Sequence, residues 1–314
     1  MSILPKEPQI LAWTTPMSSS RAIAVLGMHR NGTSLLTRGL QTLGVHLGDN
    51  FLDDKPDNPT GYWENKPIVG LNERLLQIFG LKWESVSLIE EVQWQKPEVQ
   101  ALSLEAIEYL QGYFLTHPLW GFKDPRTIRL LPFWRSVFLS QGVDDNYVVI
   151  IRNPLSVASS LKERQGMKAM TSHLLWLLYM VPYLSEIADR PFVVIDYDLL
   201  MVEPQGQLER IARRLKIALN EANTVAIEHF AVDFLDPSLR HNFSGRDDFD
   251  TIPRVSSLTR EAYLWLNLLA TDRIEPDSVR FWSTWESIRS AAMEVLLEFT
   301  VSPDEQHDNR ASSV

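Results

Sequence analysis

The sequence contains no cysteine among its 314 residues. Disulfide bonds and thiolate metal sites are therefore excluded, and the composition fits a reducing compartment. No apolar run is long enough to span a bilayer, since the most apolar stretch, Leu174 to Leu184, is short and contains Pro182. The first twenty residues lack the apolar core and cleavage site of a signal peptide. We therefore expect a soluble, cytoplasmic protein without a transmembrane segment.

Positive charge is also scarce, because 30 Lys and Arg residues stand against 40 Asp and Glu residues, giving a formal net charge of −10. Such a surface repels the backbone of DNA and RNA, so nucleic acids are not expected as partners. Any anion site must be built from a few placed arginines and lysines. The seven histidines have no spacing typical of metal ligands, and no metal is expected.

Short apolar runs that alternate with helical periodicity indicate the fold class. The predicted strands are Ala22–Leu26, Leu119–Lys123, Tyr147–Ile151 and Phe192–Ile195. This alternation predicts a three-layer α/β fold, in which a central parallel sheet carries helices on both faces. The stretch 45–66 is rich in Gly, Pro, Asp and Asn and is predicted to be a long, functional loop.

The rest of the chain divides by composition. We expect an irregular leader over 1–20, an α/β domain over 21–250, a helical C-terminal addition packed on the core over 251–301, and a flexible tail over 302–314. The addition carries one amphipathic stripe, formed by Phe281, Trp285, Ile288, Ala292, Val295 and Phe299. A further helix is predicted over 169–189.

The first candidate anion site is Gly27-Met-His-Arg-Asn-Gly-Thr-Ser34, which follows the first strand and opens a helix. Glycine at both ends lets the backbone turn tightly and direct its amides at a phosphate. The spacing matches the ATP-binding pattern G-x-x-x-x-G-K-[ST], but Thr33 stands in place of the lysine and the cation lies at Arg30. Chemistry at a γ-phosphate would lack its main positive charge. The alternative is a glycine turn without a ligand.

The second candidate site begins at Arg152, where the third strand ends. Asn153 and Pro154 start the next helix, and Ser160 follows roughly two helical turns further on. An arginine fork can hold a phosphate through two bonds, and the serine hydroxyl can donate another. The alternative is an arginine paired with a carboxylate and a serine on a solvated helix face.

Together these segments resemble the 5′-phosphosulfate loop and the 3′-phosphate site of sulfotransferases that use 3′-phosphoadenosine 5′-phosphosulfate (PAPS), in the bacterial and Golgi-type branch with a P-loop-like fold. The resemblance covers about residues 20–200. It implies PAPS as donor, adenosine 3′,5′-bisphosphate (PAP) as product, and no metal. The implied donor-binding residues are Arg30, Asn31, Gly32, Thr33, Ser34, Arg152 and Ser160. His29, inside the first motif, is a further candidate for a donor contact, and the alternative is that it packs beside the loop. Arg240, in a later polar loop, would add a contact, and Arg164 either assists the phosphate or lies on the surface.

The resemblance also implies the catalytic residues. Glu64, in Gly61-Tyr-Trp-Glu-Asn65, would act as the general base, although it could instead complement the dipole of the following helix. Lys123, in Trp120-Gly-Phe-Lys-Asp-Pro-Arg126, would stabilise the bridging oxygen with help from Arg30. Asp124 would be a second base or would orient Lys123.

The acceptor is expected to carry a hydroxyl or an amine, and a glycan is favoured because relatives of the bacterial type often sulfate glycans. Two other functions remain open. A P-loop kinase or NTPase would use Phe192–Asp196 as its Walker-B strand and would turn over ATP with Mg²⁺. A catalytically inactive nucleotide-binding protein could share the fold.

Overall fold

A computed structural model describes residues 20–53, 61–233 and 253–299. Within these ranges four parallel strands form one sheet in the order β2-β1-β3-β4. They are β1 (Arg21–Leu26), β2 (Leu119–Lys123), β3 (Asp144–Ile151) and β4 (Phe192–Asp196). The predicted strands are confirmed, and β3 begins three residues earlier than predicted.

Helices connect and cover these strands. They are α1 (Thr33–Thr42), α2 (Lys66–Ile78), α3 (Pro97–Tyr113), α4 (Leu131–Ser140), α5 (Pro154–Gln165), α6 (Ala169–Met180), α7 (Tyr197–Val202), α8 (Pro204–Arg214), α9 (Glu221–Asp233), α10 (Pro253–Ala270) and α11 (Val279–Glu298). Short 3₁₀ helices span Glu91–Gln95, Pro125–Leu130 and Leu184–Ile187. Proline in the first turn and an asparagine cap begin both α2 and α5.

Among the described residues the apolar side chains form two cores, one on each face of the sheet. Ala22 and Ala24 of β1 point into the larger core, which α2 to α6, α10 and α11 complete. Ile23 and Val25 point into the smaller core, which α1 and α7 to α9 complete. Side chains of a strand alternate between faces, so β1 is buried on both. The three-layer α/β class with a parallel central sheet is therefore confirmed.

The C-terminal helices pack against α6 and β4 and join the larger core. The stripe predicted on the last helix is buried except at its end. Phe299 was predicted to be buried, and this is wrong: it is 38% exposed, because α11 ends at Glu298 and Leu296 fills the buried position.

The helix predicted over 169–189 is also wrong in its extent. α6 ends at Met180, and a separate 3₁₀ turn follows at Leu184–Ile187. Pro182 lacks the amide proton that a continuing helix would need, and its ring obstructs the preceding turn. None of the described helices combines the length and apolarity required to cross a bilayer. The predicted tail, and the predicted leader apart from Ser20, lie outside the described residues.

The sheet order brings the functional segments together. β1 lies between β2 and β3, so the loop after β1, Lys123 at the end of β2 and Arg152 after β3 share the carboxyl edge of the sheet. Ligands of open α/β sheets bind outside this edge.

Candidate active site

The loop between β1 and α1 is shaped by its own backbone. Gly32 has φ 90°, and a Cβ atom at this position would collide with the ring of Tyr197. Arg30 also adopts a left-handed φ, 70°, which is uncommon for a residue with a side chain. Asn31 is fully buried, and its amide donates to the carbonyl oxygen of Ile150 at 3.1 Å. Its side chain therefore supports the loop from the interior of the protein.

The two predicted anion motifs meet in the structure. The Nε atom of Arg30 donates to the Ser160 hydroxyl at 2.8 Å, and Arg152 donates to the carbonyl oxygen of Arg30 at 3.2 Å. The Arg152 guanidinium also lies 4.4 Å from the centroid of the Tyr197 ring, within cation–π range. Residues more than a hundred positions apart thus form one cationic group beside the loop.

A second cluster lies next to this group and contains the predicted base. The ammonium of Lys123 donates to the Glu64 carboxylate at 2.6 Å and to the Ser34 hydroxyl at 3.1 Å. Lys123 is only 1% exposed. Burial raises the pKa of Glu64 above its ordinary value, against the opposing effect of Lys123, and burial lowers the pKa of Lys123. The pair links the loop to a carboxylate with raised proton affinity.

Backbone pairing and local strain fix the position of Glu64. The Leu52 amide donates to the Glu64 carbonyl oxygen at 2.8 Å. Trp63 has φ 53° and packs against Phe51 with ring centroids 5.3 Å apart. A left-handed bulky residue beside a candidate catalytic group is typical of strain kept at functional sites. Asn65 caps α2 through the Ile68 amide, while the Glu64 carboxylate binds Lys123.

Arg126 belongs to the same cluster, although the sequence assigned it no role. Its guanidinium donates to Asp124 at 2.8 Å and to Glu73 at 2.9 Å, and lies 4.0 Å from Glu64. Asp124 caps the following 3₁₀ helix through the amide of Arg126. The structure thus pairs Asp124 with Arg126, and no contact of Asp124 with Lys123 is among its described hydrogen bonds. The motif Lys-Asp-Pro-Arg was the signal that could have identified Arg126.

A cavity of about 410 Å³ opens beside Glu64. Charged and aromatic side chains dominate its wall, with apolar ones between them. The lining residues are His29, Leu52, Asp53, Tyr62, Glu64, Val69, Glu73, Trp83, Arg126, Leu161, Arg164 and Gln165. Arg164 thus lies on this wall, where it donates to the Tyr62 hydroxyl at 3.4 Å. The described lining of this cavity does not include Arg30, Arg152 or Ser160. The cavity and the cationic group are therefore distinct parts of the site.

His29, predicted to contact the donor, lies on the cavity wall. Its ring centroid is 4.3 Å from that of Trp83. Burial, followed by the nearby charges of Arg126, Lys123, Arg164 and Arg30, holds the pKa of His29 well below its ordinary value. The imidazole is therefore neutral at pH 7. The sequence gives no signal for Trp83, because its position depends on the conformation of a loop. The Tyr179 hydroxyl stabilises that loop by donating to the Trp83 carbonyl oxygen at 2.7 Å.

The remaining predicted site residues are accounted for as follows. Thr33 is buried as the first residue of α1. Arg240 lies outside the described residues. In the part of the chain that the structure describes, no group of three or more His, Asp or Glu side chains forms a candidate metal site.

Comparison with known proteins gives structural similarity alone. No family model and no curated protein matches the chain. A sulfotransferase domain from the Synechococcus PCC 7002 olefin synthase is similar in structure, with TM-score 0.45 and 18% identity over 80% of this chain and 97% of that one. Sulfotransferase STF1 from Mycobacterium tuberculosis H37Rv gives TM-score 0.43 and 15% identity over 79% and 77%. A sulfotransferase domain from the curacin biosynthetic pathway gives TM-score 0.41 and 16% identity over 77% and 96%. At such low identity, what this chain does must follow from its own side chains.

Proposed function

We propose that this protein is a sulfotransferase that moves a sulfuryl group from PAPS to a hydroxyl or amine of an acceptor. One observation carries the proposal: Arg30, Arg152 and Ser160 converge beside the loop after β1, and Lys123, the partner of Glu64, binds Ser34 where that loop enters α1. A donor with phosphates at two positions needs two anion sites, and an acceptor needs a base within reach of the transferred group.

The residues present fit such a donor. Arg152 and Ser160, which are both buried, would hold the 3′-phosphate. The guanidinium of Arg152 is planar and permanently charged, so it can bind a phosphate through two hydrogen bonds. Arg30 and the amides of the loop that ends at Gly32 and Thr33 would hold the 5′-phosphosulfate, with Ser34 at the start of α1. The bound donor supplies the electrophilic sulfur. Thr33, where ATP-binding loops carry lysine, suits a donor with a single phosphate beside the transferred group.

Glu64 and Lys123 would divide the chemistry between them. Glu64 takes the proton of the acceptor hydroxyl as the new S–O bond forms, and its raised pKa strengthens it as a base. The S–O bond to the phosphate breaks at the same time, and negative charge grows on the bridging oxygen. Lys123, bonded to Ser34 at the start of α1, would stabilise that charge.

The cavity is the proposed acceptor site, and a glycan remains the proposed acceptor class. Trp83 and Tyr62 present aromatic surface, and Glu73, Arg126 and Arg164 present polar groups around about 410 Å³. Aromatic faces pack against the C–H faces of sugar rings, while carboxylates and guanidinium groups bind the hydroxyls.

The kinase alternative needs an acidic residue for Mg²⁺ at the end of β4. Both oxygens of Asp196 are already engaged. One caps α7 through the amides of Asp198 and Leu199, and the other accepts from Tyr263 at 3.0 Å and from Asn267 at 3.2 Å. These contacts give Asp196 a structural role in joining α10 to the sheet.

The test is transfer of radiolabelled sulfur from PAPS to a panel of acceptors: monosaccharides and disaccharides, p-nitrophenol, and a primary amine. We expect labelled product without added metal, and among sugars first. ATP hydrolysis that requires Mg²⁺, with no labelled product from any acceptor, would overturn the proposal in favour of the kinase alternative.

A further inference from the structure

In the proposed function, the Glu64 carboxylate and the bridging oxygen compete for the single positive charge of Lys123. In this structure the Glu64 carboxylate, 2.6 Å away, balances the charge of Lys123. The Lys123 ammonium also donates a hydrogen bond to Ser34, on the side of the proposed donor site. If Lys123 neutralises charge on the bridging oxygen, as the proposed function requires, it neutralises Glu64 less. A buried carboxylate that loses its cation must take up a proton or move toward water. A second cation is therefore needed on the acceptor side.

Arg126 is in the position for that task. Its guanidinium lies 4.0 Å from the free oxygen of Glu64, opposite the oxygen that binds Lys123. The guanidinium donates to buried Asp124 at 2.8 Å and to Glu73, which lines the cavity, at 2.9 Å. Arginine suits this bracing because its planar fork can bind several carboxylates at once.

The support under Arg126 continues into the core. Asn72 donates to the second oxygen of Asp124 at 2.9 Å, and the indole of Trp134 donates to Asn72 at 2.8 Å. These three side chains are buried. A buried polar chain with its partners satisfied is rigid, and it fixes the group at its end. That end is Arg126 on the wall of the cavity.

We propose that Arg126 is a positioning residue: it holds the Glu64 carboxylate on the cavity wall and keeps it ionised while Lys123 interacts with the bridging oxygen of the donor. The inference rests on the proposed function for the role of Glu64, and on the geometry of the cluster for the role of Arg126. The buried set is balanced, with Lys123 and Arg126 against Glu64 and Asp124. Glu73, 51% exposed at its side chain, adds a solvated charge at the rim.

The ionisable groups around Glu64 come from every neighbouring element. They are Lys123 at the end of β2, Asp124 and Arg126 after it, Asp53 in the segment that pairs with the Glu64 backbone, Glu73 on α2, His29 in the loop after β1 and Arg164 on α5. Lys123 and Arg126 lower the pKa of Glu64, and Asp124 raises it. Removal of Arg126 alone must therefore raise the pKa of Glu64.

The experiment measures the ionisation of Glu64 directly in the full-length protein. Glutamate labelled with ¹³C at the side-chain carboxyl gives one NMR signal for each glutamate. The signal that is absent from the spectrum of Glu64→Gln is assigned to Glu64. In Arg126→Met we expect its pKa to rise by about one pH unit or more, since an opposite charge at this distance lowers a carboxyl pKa by that amount. Arg74→Met is the matched control. It removes the same charge from α2, where Arg74 pairs with exposed Glu105, and should leave the signal of Glu64 unchanged.

A second comparison, between two variants, keeps the test valid if Arg126→Met does not fold. Asp124→Asn with Arg126→Met removes one charge of each sign and is compared with Asp124→Asn alone. The pKa of Glu64 must be higher in the double variant than in the single one. An unchanged pKa of Glu64 in either comparison, in protein that unfolds cooperatively, overturns the proposal.

PAP titration separates this inference from the proposed function. Arg126 is on the acceptor side, so Arg126→Met should bind PAP as the unaltered protein does. Failure of the unaltered protein to bind PAP would overturn the sulfotransferase assignment and leave the pKa comparison standing. Loss of PAP binding in folded Arg126→Met would instead place Arg126 in the donor site and contradict the inference.

Discussion

The two edges of the central sheet each bury a carboxylate, and they treat it differently. At the amino edge, Asp145 of β3 accepts from the Tyr147 hydroxyl at 2.6 Å and pairs with Arg190 at 3.2 Å and Arg135 at 3.9 Å. At the carboxyl edge, Glu64 is paired with Lys123, which also binds Ser34 at the start of α1, and Glu64 lines a cavity of about 410 Å³. Asp145 is not among the residues that line this cavity.

The difference separates a structural ion cluster from a chemical one. Burying a carboxylate is costly at both edges and requires nearby cations or hydrogen-bond donors. The partners of Asp145 bind only other groups of the scaffold: both arginines also pair with Asp189, and Arg135 donates to the Glu186 carbonyl oxygen. The partner of Glu64 is shared with the loop, and the carboxylate has a raised pKa and access to a cavity. These features are typical of functional groups.

The largest expected effect is that of Glu64→Gln on turnover. The amide has the shape of the carboxylate but cannot take the acceptor proton, so transfer should fall by about 10²–10⁴-fold. PAP binding should persist, because the residues proposed to bind it, among them Arg30, Arg152 and Ser160, do not include Glu64. The measurement is initial rate with radiolabelled PAPS, and full activity of the variant would remove Glu64 from the role of base.

The pH dependence of the unaltered enzyme sharpens the same point. Since the base must be ionised, the rate should rise with pH as Glu64 loses its proton. Burial raises the pKa of Glu64, so this rise should be centred above the ordinary glutamate value of 4.5. A rate profile without this rise, or one centred at or below 4.5, would contradict the assignment.

Asp145→Asn should cost stability and leave the chemistry intact. The substitution removes a buried negative charge from two half-buried arginines, which keep only the exposed Asp189, and we expect the free energy of unfolding to fall by about 2–3 kcal/mol. Denaturant unfolding gives that number. The PAP dissociation constant should not change, and a changed constant would mean that the two edges are coupled.

Tyr147→Phe is the milder version of that test. It removes the hydroxyl that donates to Asp145 and keeps the ring, which is buried in the larger core. We expect a loss of about 2 kcal/mol, typical of a hydrogen bond to a charged group. Leu139→Ala, at a side chain 74% exposed, is the control that should leave the unfolding midpoint in place.

Ser160→Ala should have the smallest effect. It removes the hydroxyl that accepts from Arg30 and is proposed to donate to the 3′-phosphate. The loss in PAP binding should be about 1 kcal/mol, or roughly fivefold in the dissociation constant. Unfolding should hardly change. An unaltered dissociation constant would place the 3′-phosphate elsewhere.

Much of the fold, and the meeting of the two arginine motifs that form the proposed donor site, follow from the sequence. The strands are contiguous apolar runs, and the segments carrying Arg30 and Arg152 follow two of them. Because parallel strands present their carboxyl ends at one edge, both arginines had to approach each other once β1 and β3 were neighbours. Lys123 follows the same rule from β2.

The cavity proposed for the acceptor could not be predicted as well, because tertiary contacts place its wall. Trp83 reaches the cavity only because Tyr179 and the buried Arg129 hold its loop. Arg126 is held on the cavity wall partly by Glu73, which lies on α2. The side chain of Asn31 could be read as a ligand group, yet it turns toward Ile150 inside the protein. No periodicity or spacing along the chain encodes such contacts.

Metal-free titration with PAP tests the central claim most directly. With a chelator present, the unaltered protein should bind PAP saturably. The double variant Arg30→Gln with Arg152→Gln should bind at least about a hundredfold more weakly, since two charge-assisted contacts are lost. Equal binding by the folded double variant, or binding by the unaltered protein only after Mg²⁺ is added, would contradict the account.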